Sequence, residues 1–172
     1  MNFDLHPPQA AGPLRIGTAG HDTVEILKQL GTPQVLCRTA GSPPAWGVHR
    51  PSGLFVLILF DADDHVEAIE FGRPDSTDDS VAYDGLDVFA TPAADLIRQL
   101  RQRTAIDVEE EEDGHAFTAP SLLLSLWRPV TPESPEDQEG RFFESVLIAR
   151  PGYYDQLAEP TAPSSERPIH RS

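Results

Sequence analysis

Seven consecutive apolar residues, Leu54-Phe55-Val56-Leu57-Ile58-Leu59-Phe60, form the longest stretch of the chain without a polar side chain. A helix needs about 20 such residues to cross a bilayer, and turn formers bound this run on both sides, Ser52-Gly53 before it and Asp61-Ala62-Asp63-Asp64 after it. The run therefore predicts a strand in the interior of a sheet, apolar on both faces. Alternation sends Leu54, Val56, Ile58 and Phe60 one way and Phe55, Leu57 and Leu59 the other.

The flanking sequence supplies covering elements. Asp22 or Thr23 is the expected N-cap of a helix carrying Val24, Ile26, Leu27 and Leu30, which stops at Gly31 with Pro33 beyond. Strands are expected over 34–38, 46–50, 54–60 and 65–71. The pattern then starts again about seventy residues later. Thr91-Pro92 opens a second helix running to about Arg103, and strands follow at 105–109, 115–118, 122–127 and 141–149. Leu96-Ile97-Arg98-Gln99-Leu100 matches Ile26-Leu27-Lys28-Gln29-Leu30, and Leu122-Leu123-Leu124-Ser125-Leu126-Trp127 takes the place of the first apolar run. The expected fold is α+β: an antiparallel sheet built from two α-β-β-β-β units, pseudo-repeats over 14–72 and 86–150, with both helices on one face. Residues 1–13, with three prolines, read as a flexible arm, 14–156 as one domain and 157–172 as a disordered tail.

Charge limits the partners. With 28 acidic and 13 basic residues the net charge is −15, which opposes nucleic acid and anionic membranes and favours a protein with a basic surface. Near-exclusive use of Arg over Lys, with abundant Ala and Pro, fits a high-GC bacterial genome. The start of the chain has neither a basic nor an apolar targeting segment, and Cys37 has no cysteine to pair with, so a cytoplasmic setting is expected and Cys37 reads as a small buried thiol.

Chemistry is sparse. The six histidines show no metal spacing, and no G-x-S-x-G, Walker or G-x-G-x-x-G motif occurs, so no catalytic, cofactor or metal residue is assigned. Asp61, Asp63 and Asp64 lack the alternation, glycine and terminal Glu of a calcium loop and read as a polar turn. Glu109, Glu110, Glu111, Glu112 and Asp113 repel one another and belong on a solvated edge, or in a patch that occupies a basic cleft. With the aromatic residues Trp46, Phe55, Tyr83 and Trp127, these carboxylates make up the candidate partner-binding set. In the second half Leu123, Ser125 and Trp127 are expected on one strand face and Phe143, Ser145 and Leu147 on one face of another. Loops such as Trp46 and Tyr153-Tyr154, or a partner, would cover the second face of the sheet.

The capped helix over 17–33, ending Leu-Gly-Thr-Pro, and the four strands after it resemble the helix-plus-meander unit of barrel-assembly lipoproteins and, in tandem, of β-lactamase inhibitory proteins. Those groups carry a lipobox cysteine, or a secretion signal and disulfides, that are not found in this sequence. A small acidic chain of this pattern is also similar to immunity proteins of bacterial polymorphic toxin systems, and that resemblance implies a non-enzymatic inhibitor that occludes a basic toxin or enzyme. Two alternatives stand beside it. One is a ligand-binding or scaffold domain whose pocket carries inward polar groups such as Tyr83 or His115; the other is an enzyme using a cleft carboxylate of raised pKa.

Overall fold

The chain is described by a computed structural model over residues 1–36, 44–103, 106–134 and 136–156. Its elements are β1 (Asn2–His6), β2 (Ala10–Ala11), β3 (Leu14–Arg15), α1 (Gly20–Leu30), β4 (Gln34–Leu36), β5 (Ala45–His49), β6 (Phe55–Phe60), β7 (Val66–Gly72), β8 (Ser80–Tyr83), β9 (Leu86–Asp87), α2 (Ala93–Gln102), β10 (Glu109–Glu111), β11 (Ala116–Ala119), β12 (Leu124–Trp127) and β13 (Ser145–Ala149). The content is α+β and mostly antiparallel. An eight-stranded sheet has the order β10-β11-β12-β13-β7-β6-β5-β4, so the apolar run lies inside it as β6. In chain order α1 precedes the meander β4 to β7 and α2 precedes the meander β10 to β13. The two meanders meet where β13 pairs antiparallel with β7, Ile148 opposite Ile69.

A second, five-stranded sheet has the order β3-β2-β1-β8-β9. It corrects the expectation of a flexible arm over 1–13: β1 pairs in parallel with β8, Phe3 opposite Val81, and Phe3 and Leu5 are buried. The alternation Phe3/Leu5 against Asn2/Asp4 is a strand signal, but its partner is remote, the Ser80 hydroxyl donating to Asn2 across 78 positions. Nothing local announces such a pairing.

Smaller differences have local causes. α1 begins at Gly20 and not at the expected caps; Thr23 lies inside the helix and donates back to the Ala19 carbonyl at 3.0 Å. The end is capped from outside: the Gly20 amide donates to the Asp64 carbonyl at 2.8 Å, and the Asp64 carboxylate lies where a Cβ on residue 20 would project. That places a negative charge at the positive end of the helix dipole. The expected strand at 105–109 is instead the acidic run itself, β10, an exposed edge whose carboxylates discourage further pairing. Pro120–Leu122 forms a 3-10 turn with Leu123 at φ 51°, so β12 starts only at Leu124 and Leu123 belongs to neither sheet face. Phe143 likewise precedes β13 and lies in the core. Cys37, the rest of the 37–43 segment and the tail 157–172 lie outside the described residues.

The core is built on one face of the large sheet. Val56, Ile58, Ile69, Phe71, Leu126 and Ile148 share a buried cluster with Leu27 and Leu30 of α1, Leu96, Ile97 and Leu100 of α2, and Phe3, Leu5 and Val81 of the small sheet. Each such side chain contributes about 1.5–3 kcal/mol by leaving water. A polar node joins these layers. Asp79, 4% exposed, accepts hydrogen bonds from Arg50 Nε at 2.8 Å and from the Ser52 hydroxyl, and pairs with the Met1 amino group at 2.9 Å. Burial alone would push its carboxyl up, but these donors and the Arg50 charge outweigh that and hold it far below the usual range.

Candidate functional site: the open sheet face

The register fixes what the other face of the large sheet presents. One row across it reads His49, Phe55, Gly72, Ser145, Trp127, Ala116 and Glu111, and the next reads Gly47, Leu57, Glu70, Leu147, Ser125, Thr118 and Glu109. Phe55 stacks on His49, centroids 4.5 Å apart at 30°, and its ring crosses Gly47 so closely that a Cβ there would meet ring carbons at 2.8 Å. Trp127 is 42% exposed. Between these two aromatics lie two strands carrying only Gly72 and Ser145 in that row. Three strand spacings of about 4.8 Å put the walls of this shallow trough about 14 Å apart. Glu70 stands beside its floor between Leu57 and Leu147, with no hydrogen bond or ion pair among the described residues.

Part of the face is covered. Tyr153 and Tyr154, edge to face at 5.4 Å, pack on the cluster of Ala45, Leu57, Leu59, Ala68 and Ala149. Burial pushes the Tyr154 hydroxyl up to about 12; Ser125 nearby works against this, but no hydrogen bond of good geometry closes between them. The tyrosines thus cover part of the face, Phe55 stays half-buried beside them, and Trp127 is the exposed aromatic on it.

The candidate residues separate into three groups. Phe55, Trp127, Glu109 and Glu111 lie on the same face of the sheet, with Glu109 and Glu111 two strands beyond Trp127. Trp46 does not: opposite Ile58 in the register, it packs against the main core on the helix side, so it cannot cover the second face. Tyr83 lies in β8 of the small sheet, also against the core. Glu110 points to the helix side opposite Phe117, Glu112 falls in the turn after β10, and Asp113 sits there at φ 54° with its carbonyl accepting from the Thr131 hydroxyl. Asp61 and Asp64 work within the β6–β7 turn. Asp61 accepts the amides of Asp63 and His65 at 3.0 Å each, while Asp63 itself is exposed. The His65 amide leads the causes that hold the Asp61 carboxyl down.

Residues that the sequence reading passed over matter as much. Glu70, Gly72, Ser145 and His49 complete the trough, and Glu70 could have been found as the inward break in the alternation Ala68, Glu70, Gly72. Glu67, at the bulge of β7, is a carboxyl that burial pushes up, against the charge of Arg150, whose Nη2 lies 3.4 Å away. Arg150 also reaches Asp61 at 3.5 Å, so this group pins the β6–β7 turn to the end of β13. No cluster of three His, Cys, Asp or Glu able to hold a metal occurs among the described residues, and no described helix is long and apolar enough to cross a membrane.

No family model matches the chain, and no curated protein does. Among solved structures, the crystal structure of the uncharacterized protein yfeY from Escherichia coli is similar at 16% identity with a TM-score of 0.48, over 87% of this chain and 100% of that one.

Proposed function

We propose that this protein is a non-enzymatic inhibitor of the immunity type, which docks a basic toxin or enzyme on the open face of its large sheet. The observation that carries the reading is the pair Phe55 and Trp127, flanking a small-residue trough with Glu70 beside its floor and with Glu109 and Glu111 on the same sheet face two strands beyond Trp127. Aromatic side chains around a depression are the usual anchors of a tight interface, and carboxylates with a chain charge of −15 speed encounter with a basic surface. The chain order of two helices, each followed by a four-strand meander, supports a tandem architecture of the kind found in inhibitory proteins. The cytoplasm and a bacterial host belong to the same proposal.

The test is affinity capture from the native host with wild-type chain and with a Phe55→Ala/Trp127→Ala variant, followed by binding measurements on the purified partner. A basic protein should bind wild type with an association rate that falls steeply as salt rises, and the variant should lose about 2–4 kcal/mol of affinity. A partner that binds both equally removes the sheet face from the interface. Binding of small molecules without any protein partner favours the ligand-binding alternative.

A further inference from the structure

One cavity reverses the sign of the chain. It offers about 470 Å3, open on one side, between α2 and the β10–β11 end of the large sheet, and among the described residues its walls bring together Arg98, Arg101 and Arg128 with one carboxylate, Glu110, beside the apolar Ile97 and Phe117. Two of the three cations are occupied in part. Arg98 pairs with Asp95 on its own helix at 2.6 Å, and Arg101 donates from Nη2 to the Val108 carbonyl at 3.1 Å.

Arg128 is different. Only 9% exposed, it donates from Nε to the Gly114 carbonyl at 2.9 Å and from Nη1 to the Gly140 carbonyl at 2.8 Å, and lies 5.9 and 5.8 Å from the Phe117 and Phe143 ring centres. These partners hold the guanidinium plane fixed but carry no full negative charge. Nη2 makes no hydrogen bond among the described residues, and Arg128 lines the cavity. A desolvated cation with its remaining donor open to a cavity is a positioned receptor for an anion.

We propose that this cavity binds a small organic carboxylate with an apolar body, its carboxylate on Arg128 and Arg101 and its body against Ile97 and Phe117. The volume lies within the range of ligand pockets, and a guanidinium fork matches a carboxylate in plane. Glu110 in the wall and Asp95 on Arg98 leave one net positive charge from the five groups, enough to balance a monoanion, whereas a dianionic phosphate would keep an uncompensated charge and carry the larger desolvation cost.

The experiment is titration of the full chain, followed by calorimetry or protein NMR, with phenylacetate, its neutral isostere phenylacetamide, and inorganic phosphate. Phenylacetate should saturate with a Kd of about 1 mM, the amide should bind at least about tenfold more weakly, and phosphate should not compete. Arg128→Met should abolish binding, but that change also unpairs two carbonyls, so Glu110→Gln on the exposed edge strand is the decisive variant. It keeps the fold and should tighten phenylacetate roughly threefold by removing the opposing charge. Equal binding of acid and amide, preference for phosphate, no saturation below about 10 mM, or unchanged or weaker binding by Glu110→Gln would each overturn the proposal.

Discussion

The two faces of the large sheet are made by the same strands and, along β6, by the same kinds of residue, but they end differently. Val56, Ile58 and Phe60 lie beneath two helices and a second sheet; Phe55, Leu57 and Leu59 face two tyrosines and, at the Phe55 end, solvent. Apolar content is therefore not what distinguishes a core face from a recognition face. The difference lies in how many elements the chain returns to each side, and in the small residues Gly72 and Ser145, which leave the row between Phe55 and Trp127 without a large side chain of its own.

The widest contrast is in stability. Phe71→Ala, under the helices, should lower the unfolding free energy in urea by about 3–5 kcal/mol through lost burial and the cavity left behind. A comparable loss at an open-face aromatic would erase the distinction between the faces. Next in size is the node that ties the small sheet over the covered face. Asp79→Ala leaves Arg50 without its buried partner and should cost about 2–4 kcal/mol in the same assay at neutral pH.

That node also has a pH signature. The folded carboxyl is held below its ordinary value of 3.8, so the unfolded state takes up the proton first. The stabilisation is fully present above that value and is lost as pH falls below it. Acid unfolding monitored by circular dichroism should begin at higher pH in wild type than the remaining carboxylates alone would produce, and Asp79→Asn should flatten this dependence.

On the open face the effects on folding are small. Phe55→Ala and Trp127→Ala should each change stability by less than about 1 kcal/mol while acting on partner affinity, a separation that a merely structural aromatic would not produce. The smallest effect is expected at Tyr154. Its buried hydroxyl has no hydrogen-bond partner among the described residues, so Tyr154→Phe should be neutral or stabilising by up to about 1 kcal/mol. Because the folded hydroxyl titrates near 12 against an ordinary 10.0, wild type should lose stability as pH rises from 10.0 through about 12, and the variant should lack that component.

Much of the large sheet is legible in the chain because its signals are local. Strands, turns and the Gly31 stop of α1 are encoded within a few residues of where they act, and alternation alone separates Phe55, Leu57 and Leu59 from Val56, Ile58 and Phe60. The misplacements are equally instructive. Trp46 has the exposed-anchor character of an interface residue, but the pairing of β5 with β6 turns it toward the helices. The mutual repulsion of the five carboxylates at 109–113 allows an edge or a loop, and only the pairing with β11 makes 109–111 an edge strand with its side chains exposed.

By itself, the sequence determined the central strand and its two apolar faces, the two helices, the α+β class and the excess of negative charge. Only the tertiary structure decided that Phe3 and Leu5 belong to the core, that Asp79 is buried among donors, that Phe55 and Trp127 share a trough with Glu70, and that Arg128 opens onto a cavity. The physical reason is range. Alternation, capping and turn chemistry act between neighbours in the chain, whereas a parallel partner 78 positions away, or a row of side chains drawn from seven strands, exists only once the register has been set.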